Sequence, residues 1–168
     1  MSNKKFIVAA SYKWDNSDSK NVINKIIKTI KKNFDGHNHV EGLPYKIEFR
    51  KLRASAGRFL FERIFERIKE ANILLVDISG NNPNVMMELG IALALQKETR
   101  FPEIYLLQKG KIKTPSNING YFVNMYTVEE EPIISDSHSL NASIKNFIIS
   151  YYSKIELGEP INELEDLK

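Results

Sequence analysis

Residues 71–97 read ANILLVDISGNNPNVMMELGIALALQK, and this stretch decides the fold. Ile73 to Val76 form a continuous apolar run that stops at Asp77. A strand without polar alternation belongs in a sheet covered on both faces. The loop from Ser79 to Asn82 is rich in turn formers. Asn82 is a side-chain cap, and Pro83 stands at the first helical position, where its missing amide donor is no loss. An apolar helix then runs to about Gln96. A buried strand followed at once by a capped helix is half of a βαβ unit, so the sheet is expected to be parallel.

The flanking sequence repeats this alternation. Phe6 to Ala10 is a second continuous apolar run, ending in Ser11 and Tyr12, and an amphipathic helix spans about 21 to 33. Tyr45, Ile47 and Phe49 alternate with Lys46, Glu48 and Arg50, the period-two pattern of a strand at a sheet edge. Residues 59–70 place Leu60, Phe61, Ile64, Phe65 and Ile68 on one helical face. Glu103 to Leu107 and Phe122 to Thr127 are further strands, and Leu140 to Tyr152 is a closing helix. Two buried strands inside and one half-wet strand outside give an α/β architecture of five parallel strands in the order 2-1-3-4-5, with helices on both faces. In such a sheet the ligand lies beyond the carboxyl ends of the strands, near the switch between strands one and three.

Composition narrows the function. At 168 residues, 42% apolar and 27% charged, the chain suits one core, read as a single domain over 1–155 and an acidic tail over 156–168. The absence of cysteine removes disulfides, thiolate metal sites and cysteine nucleophiles. No apolar stretch approaches the roughly 18 to 20 residues of a membrane helix, and the five apolar residues after Lys5 are too few for a secretory signal, so a cytoplasmic protein is expected. Net charge is unevenly spread, +9 over residues 1–69 and −6 over 70–168. Much of the excess lies on Lys20, Lys25, Lys28, Lys31 and Lys32, which read as the solvated face of the first helix rather than as a nucleic-acid surface.

Glu88 is the one charge in the third helix before Lys97. An ionised carboxylate buried without a partner costs several kcal/mol or has its pKa raised, so its presence needs a reason. Two are open: an ion pair, with Arg53 or Arg58 as partner, or a carboxylate turned toward a ligand at the start of the helix. The small residues Gly90 and Ala92 leave room beside it on the second reading.

Residues 71–97 resemble the characteristic segment of bacterial TIR-like proteins and the related nucleoside 2-deoxyribosyltransferase-like group, in which an NPNV-type loop leads into a helix bearing ELG. The order of strands and helices extends the resemblance from Lys4 to Tyr152. It implies a flavodoxin-like sheet and a helix glutamate, here Glu88, as the catalytic residue in N-glycosidic cleavage. It further implies NAD as a substrate rather than a resident cofactor, a role in bacterial anti-phage defence, and activity gated by self-association or by a separate sensor protein. The product is either ADP-ribose or a cyclised form.

Leaving-group chemistry bears on the substrate. Nicotinamide in NAD is cationic and departs neutral, so one carboxylate that stabilises the oxocarbenium-like transition state can suffice. A neutral nucleobase needs protonation, hence a second acid. The deoxyribosyltransferases carry an aspartate six residues before the glutamate; here that position is Asn82, although Asp77 remains as an acid at a strand end. NAD glycohydrolase is therefore the leading expectation. A nucleoside 2-deoxyribosyltransferase or nucleotide N-glycosidase is second, and a non-catalytic nucleotide-binding or scaffold domain third.

The remaining candidates follow from the strand ends. Tyr12 and Trp14 can stack on a base, Ser11, Ser79 and Asn82 can bond ribose hydroxyls, and Asn84, a helical neighbour of Glu88, is a further substrate-binding candidate. Arg53 and Arg58, flanking Ala54 to Gly57, can hold a pyrophosphate. His37 and His39 lie in a polar loop with Asp35 and Glu41, which reads as solvated rather than as a metal site.

Overall fold

The computed structural model describes residues 5–34, 46–52, 60–110, 121–128 and 132–157. Chain order is β1 (Lys5–Ser11), α1 (Ser17–Phe34), β2 (Lys46–Lys51), α2 (Leu60–Lys69), β3 (Ile73–Asp77), a 3-10 turn (Ser79–Asn81), α3 (Pro83–Thr99), β4 (Glu103–Lys109), β5 (Val123–Val128), β6 (Pro132–Ile134) and α4 (Ser137–Leu157). The first five strands are parallel in the order 2-1-3-4-5, the flavodoxin-like arrangement expected from the apolar pattern. A sixth strand, β6, pairs antiparallel with β5. It was not foreseen: three residues with a proline carry no readable period, and their place depends on pairing with β5.

Pleat parity assigns the strand side chains to two cores. Phe6, Val8, Ala10, Ile73, Leu75 and Leu107 face α1 and α4, where they meet Ile23, Ile26, Ile144 and Ile148. Ile7, Ala9, Leu74, Val76 and Leu106 face α2 and α3, where they meet Ile64, Ile68, Val85 and Leu89. β1 and β3 supply both cores, which is why their sequences are continuously apolar.

The helices begin where their caps stand. Asn16 Oδ1 accepts from the amides of Asp18 (3.0 Å) and Ser19 (3.3 Å), so α1 starts at Ser17, before the first apolar residue of its stripe. Asp136 does the same for α4 through the amide of Ser139 (3.1 Å). Although the third helix is apolar along nearly its whole length, it is not buried all round. α3 buries Val85, Glu88, Leu89, Ala92 and Leu95, but Asn84, Met87, Gly90 and Ala94 face solvent. In a three-layer fold the helices are the outer layers, so each keeps one wet side whatever its composition. Glu88 nevertheless lies on the buried stripe.

Candidate active site

The site is built at the carboxyl ends of β1 and β3. Ser11 is the last residue of β1, pairs with Val76 of β3, and shares the parity of Ile7 and Ala9, so its hydroxyl points toward α3. Glu88 lies about a turn and a half along α3 from Asn82, on the stripe of Val85, Leu89 and Ala92. The two meet: Ser11 Oγ donates a hydrogen bond to Glu88 Oε2. Ser11 is fully buried and Glu88 is 5% exposed. Burial pushes the Glu88 carboxyl above its ordinary value, and the Ser11 hydroxyl pulls it partly back. Among the described residues no cation pairs with Glu88. Arg53 and Arg58, named as ion-pair and pyrophosphate candidates, lie outside the described residues, as do Asp35, His37, His39 and Glu41.

The space beside Glu88 does not come from Gly90. That residue is two positions on, about 200° around the helix, and is exposed with open space around it. Ala92 is buried under the helix and does lie on the same face as the carboxylate.

Asp77 takes the opposite direction. It follows Val76 by one residue, so its carboxylate falls on the α1 side of the sheet, away from Ser11 and Glu88. There Tyr126 Oη donates to Asp77 Oδ2 (2.6 Å), and the amide of Ser79 donates to Asp77 Oδ1 (2.9 Å). Ser79 Oγ accepts from the amide of Lys109 (2.7 Å) and lies 3.3 Å from Tyr126 Oη. All three side chains are buried. Burial, and next the Asp77 carboxylate, push the Tyr126 phenol above its ordinary range, so it stays a donor. Asp77 and Ser79 thus belong to one interior network with Tyr126, a residue that no local pattern singled out.

Asn82 is the helix cap: its Oδ1 accepts from the amides of Asn84 (3.0 Å) and Val85 (3.3 Å). These bonds take up amides that would otherwise be free to meet an anion at the start of α3. Asn84 is exposed. Tyr12 is half-buried against the α1 side of the core, and Lys51 Nζ sits 5.8 Å from its ring centroid. Trp14 is 78% exposed, on a turn closed by the amide of Asn16 donating to Lys13 O (2.9 Å), so it packs into neither core. Lys51 was also absent from the sequence candidates, since its place beside Tyr12 depends on the pairing of β2 with β1.

Among the described residues no group of three or more His, Cys, Asp or Glu is placed to hold a metal ion. The groove between β2 and α2 is lined by charges such as Glu48, Arg50, Glu66 and Glu70, and Arg50 pairs there with both Glu48 and Glu70. No helix among the described residues is long and apolar enough to cross a membrane.

No family model and no curated protein matches the chain. Among solved structures, the constitutive lysine decarboxylase of E. coli aligns with 89% of this chain at 7% identity and a TM-score of 0.47. The Francisella novicida lysine decarboxylase LdcF aligns with 90% at 14% identity and a TM-score of 0.44. The chain spans 18% of the length of each. Likenesses this loose carry nothing about chemistry over to this chain.

Proposed function

We propose that this chain breaks the nicotinamide–ribose bond of NAD, with Glu88 as the catalytic carboxylate. The observation that carries the reading is the Ser11–Glu88 pair: a buried carboxylate at the ligand edge of the sheet, oriented by one hydroxyl and paired with no cation among the described residues. Chains resembling this one around residues 71–97 put a glutamate in that role, and the leaving-group argument favours NAD where a second acid is not at hand. Asp77 supports the same choice, because its two oxygens are occupied by Tyr126 and Ser79 on the other side of the sheet.

In the proposed reaction the C1′–N bond breaks and its electron pair neutralises the departing pyridinium. Glu88, ionised, stabilises the oxocarbenium-like centre at C1′. Water, or a nitrogen of the adenine, then adds at C1′ and a proton is lost, giving linear or cyclised ADP-ribose. The raised pKa of Glu88 fits this use, because a bound pyridinium cation draws the carboxyl back toward its charged form. Ser11 fixes one oxygen of the carboxylate. Trp14, exposed on the turn that follows β1, offers aromatic surface for a base, whereas Tyr12 packs on the opposite face of the sheet.

The test is Glu88→Gln. The amide keeps the volume and can still accept from Ser11, but it cannot stabilise a cation. Turnover of NAD, followed by chromatography of the products, is expected to disappear while the variant stays folded. An equally active Glu88→Gln protein refutes the proposal, and wild-type protein that consumes deoxynucleosides but not NAD moves the assignment to nucleoside transfer.

A further inference from the structure

The turn that launches α3 is unusual in how it is held. Between Asp77 and Asn82 the chain passes through Gly80 (φ 74) and Asn81 (φ 50), both left-handed. Glycine takes that region freely and asparagine tolerates it better than most residues. Such a turn needs fixed points. The Ile78 amide donates to Leu107 O (2.9 Å) and the Asn81 amide to Ile78 O (3.1 Å). The Ser79 amide and hydroxyl engage Asp77 and the Lys109 amide. Tyr126, two strands away on β5, then fastens the free oxygen of Asp77, which is 49 residues distant in sequence. The same network reaches α1, since Lys109 Nζ pairs with Asp18 (2.6 Å) in its first turn.

We infer that Tyr126 is a positioning residue: through Asp77 and Ser79 it holds the 77–82 turn, and thereby sets where α3 presents Glu88 to Ser11. Its hydroxyl touches no atom of the Ser11–Glu88 pair and lies on the other side of the sheet, so its action is by way of the turn. The Asp77 carboxylate can turn about its own bond, and Tyr126 Oη is what pins Oδ1 on the Ser79 amide. Freed of that bond, the turn and the first residues of α3 gain latitude. The Ser11–Glu88 hydrogen bond is buried, so a shift of α3 that lengthens it leaves both groups without water to replace it. The kinetic part of this inference rests on the function proposed above; the structural part does not.

The experiment compares the full chain with Tyr126→Phe and, as an independent break in the same network, Asp77→Asn, whose one amide oxygen can accept from Tyr126 or from the Ser79 amide but not from both. Amide hydrogen exchange is read over residues 78–86 and over β1, and kcat and KM are measured for NAD. Exchange over 78–86 is expected to accelerate about tenfold or more beyond any change in β1, the loss of one hydrogen bond to a charged group acting locally. kcat is expected to fall about tenfold with KM held within about twofold, as for a misplaced reacting group. Exchange that rises uniformly across the sheet, or not at all, overturns the inference, as does local loosening with unchanged kcat. If wild-type protein does not turn over NAD, the proposed function fails, and the exchange measurement alone decides the role of Tyr126. If Glu88→Gln abolishes turnover but Tyr126→Phe changes neither readout, the function stands and this inference falls.

Discussion

Replacing Ser11 with alanine removes the hydroxyl that donates to Glu88 and little else, because the side chain is fully buried and alanine fits the space. A hydrogen bond to a charged group contributes about 1.5 to 3 kcal/mol, and one between neutral groups about 1 kcal/mol. The effect of Ser11→Ala therefore depends on the charge of Glu88. Burial already raises the Glu88 pKa in the native state, so by linkage its protonated form is the favoured native one. That contribution to stability is present at acid pH, below the ordinary carboxyl value of 4.5, and is lost as pH rises through the raised native pKa. Ser11 moderates the loss by stabilising the ionised form, and without it the native pKa climbs further. The destabilisation caused by Ser11→Ala should thus be about 2 kcal/mol at neutral pH and shrink toward about 1 kcal/mol in acid. For a chain of 168 residues the neutral value corresponds to a Tm lowered by about 4 to 8 °C. Thermal and urea unfolding of both proteins from pH 4 to pH 8 measure it directly. On the proposed function the acid limb of the NAD pH–rate profile also moves to higher pH. A destabilisation of the same size at pH 4 and pH 8 would refute the reasoning, since the bond would then not be one to a titrating carboxylate.

Three further outcomes are expected. Asn82→Asp keeps the cap of α3, because both side chains accept from the Asn84 and Val85 amides, so stability should change by less than about 0.5 kcal/mol. The new carboxylic acid should add cleavage of deoxynucleosides, strongest below neutral pH, and no such activity at any pH counts against the leaving-group argument. Glu48 is held well below its ordinary value, at about 2, first by its hydrogen bond from Arg50 and next by Lys5. Its charged form is the favoured native one above pH 4.5 and loses that advantage as pH falls toward 2. In an NMR titration Arg50→Gln should move its midpoint up toward 4.5, and an unmoved midpoint means that the Glu48–Arg50 pair is not formed in solution. If self-association gates the site, as the family resemblance implies, NAD turnover per molecule should fall over about a hundredfold dilution by mass action, and a flat response excludes that gating.

Much of the architecture was legible because its signals are local. Continuous apolar runs at 6–10 and 73–76 can belong only to strands covered on both faces, and alternation at 45–50 marked the edge strand. Asn82 followed by Pro83 announced the start of α3, and the cap bonds are those that these residue types make. Glu88 stood out for a local reason too, a lone carboxylate in an apolar helix. β6 was illegible for the converse reason, as was the extent of the solvent-facing side of α3, which depends on what else covers the helix.

Periodicity and capping, which act within a few residues, were enough for the five parallel strands, their order, the four helices and the lone carboxylate of α3. Only the tertiary structure decided the partners. Ser11 and Asp77 both end apolar strands and looked equivalent as site residues. The register Ser11↔Val76 puts Asp77 one step out of phase, so the pleat sends Ser11 to Glu88 and Asp77 to Tyr126, on opposite faces of one sheet. Those contacts span 77 and 49 residues. No window along the chain contains them, because they are set by strand register and pleat parity, which exist only once the sheet has formed.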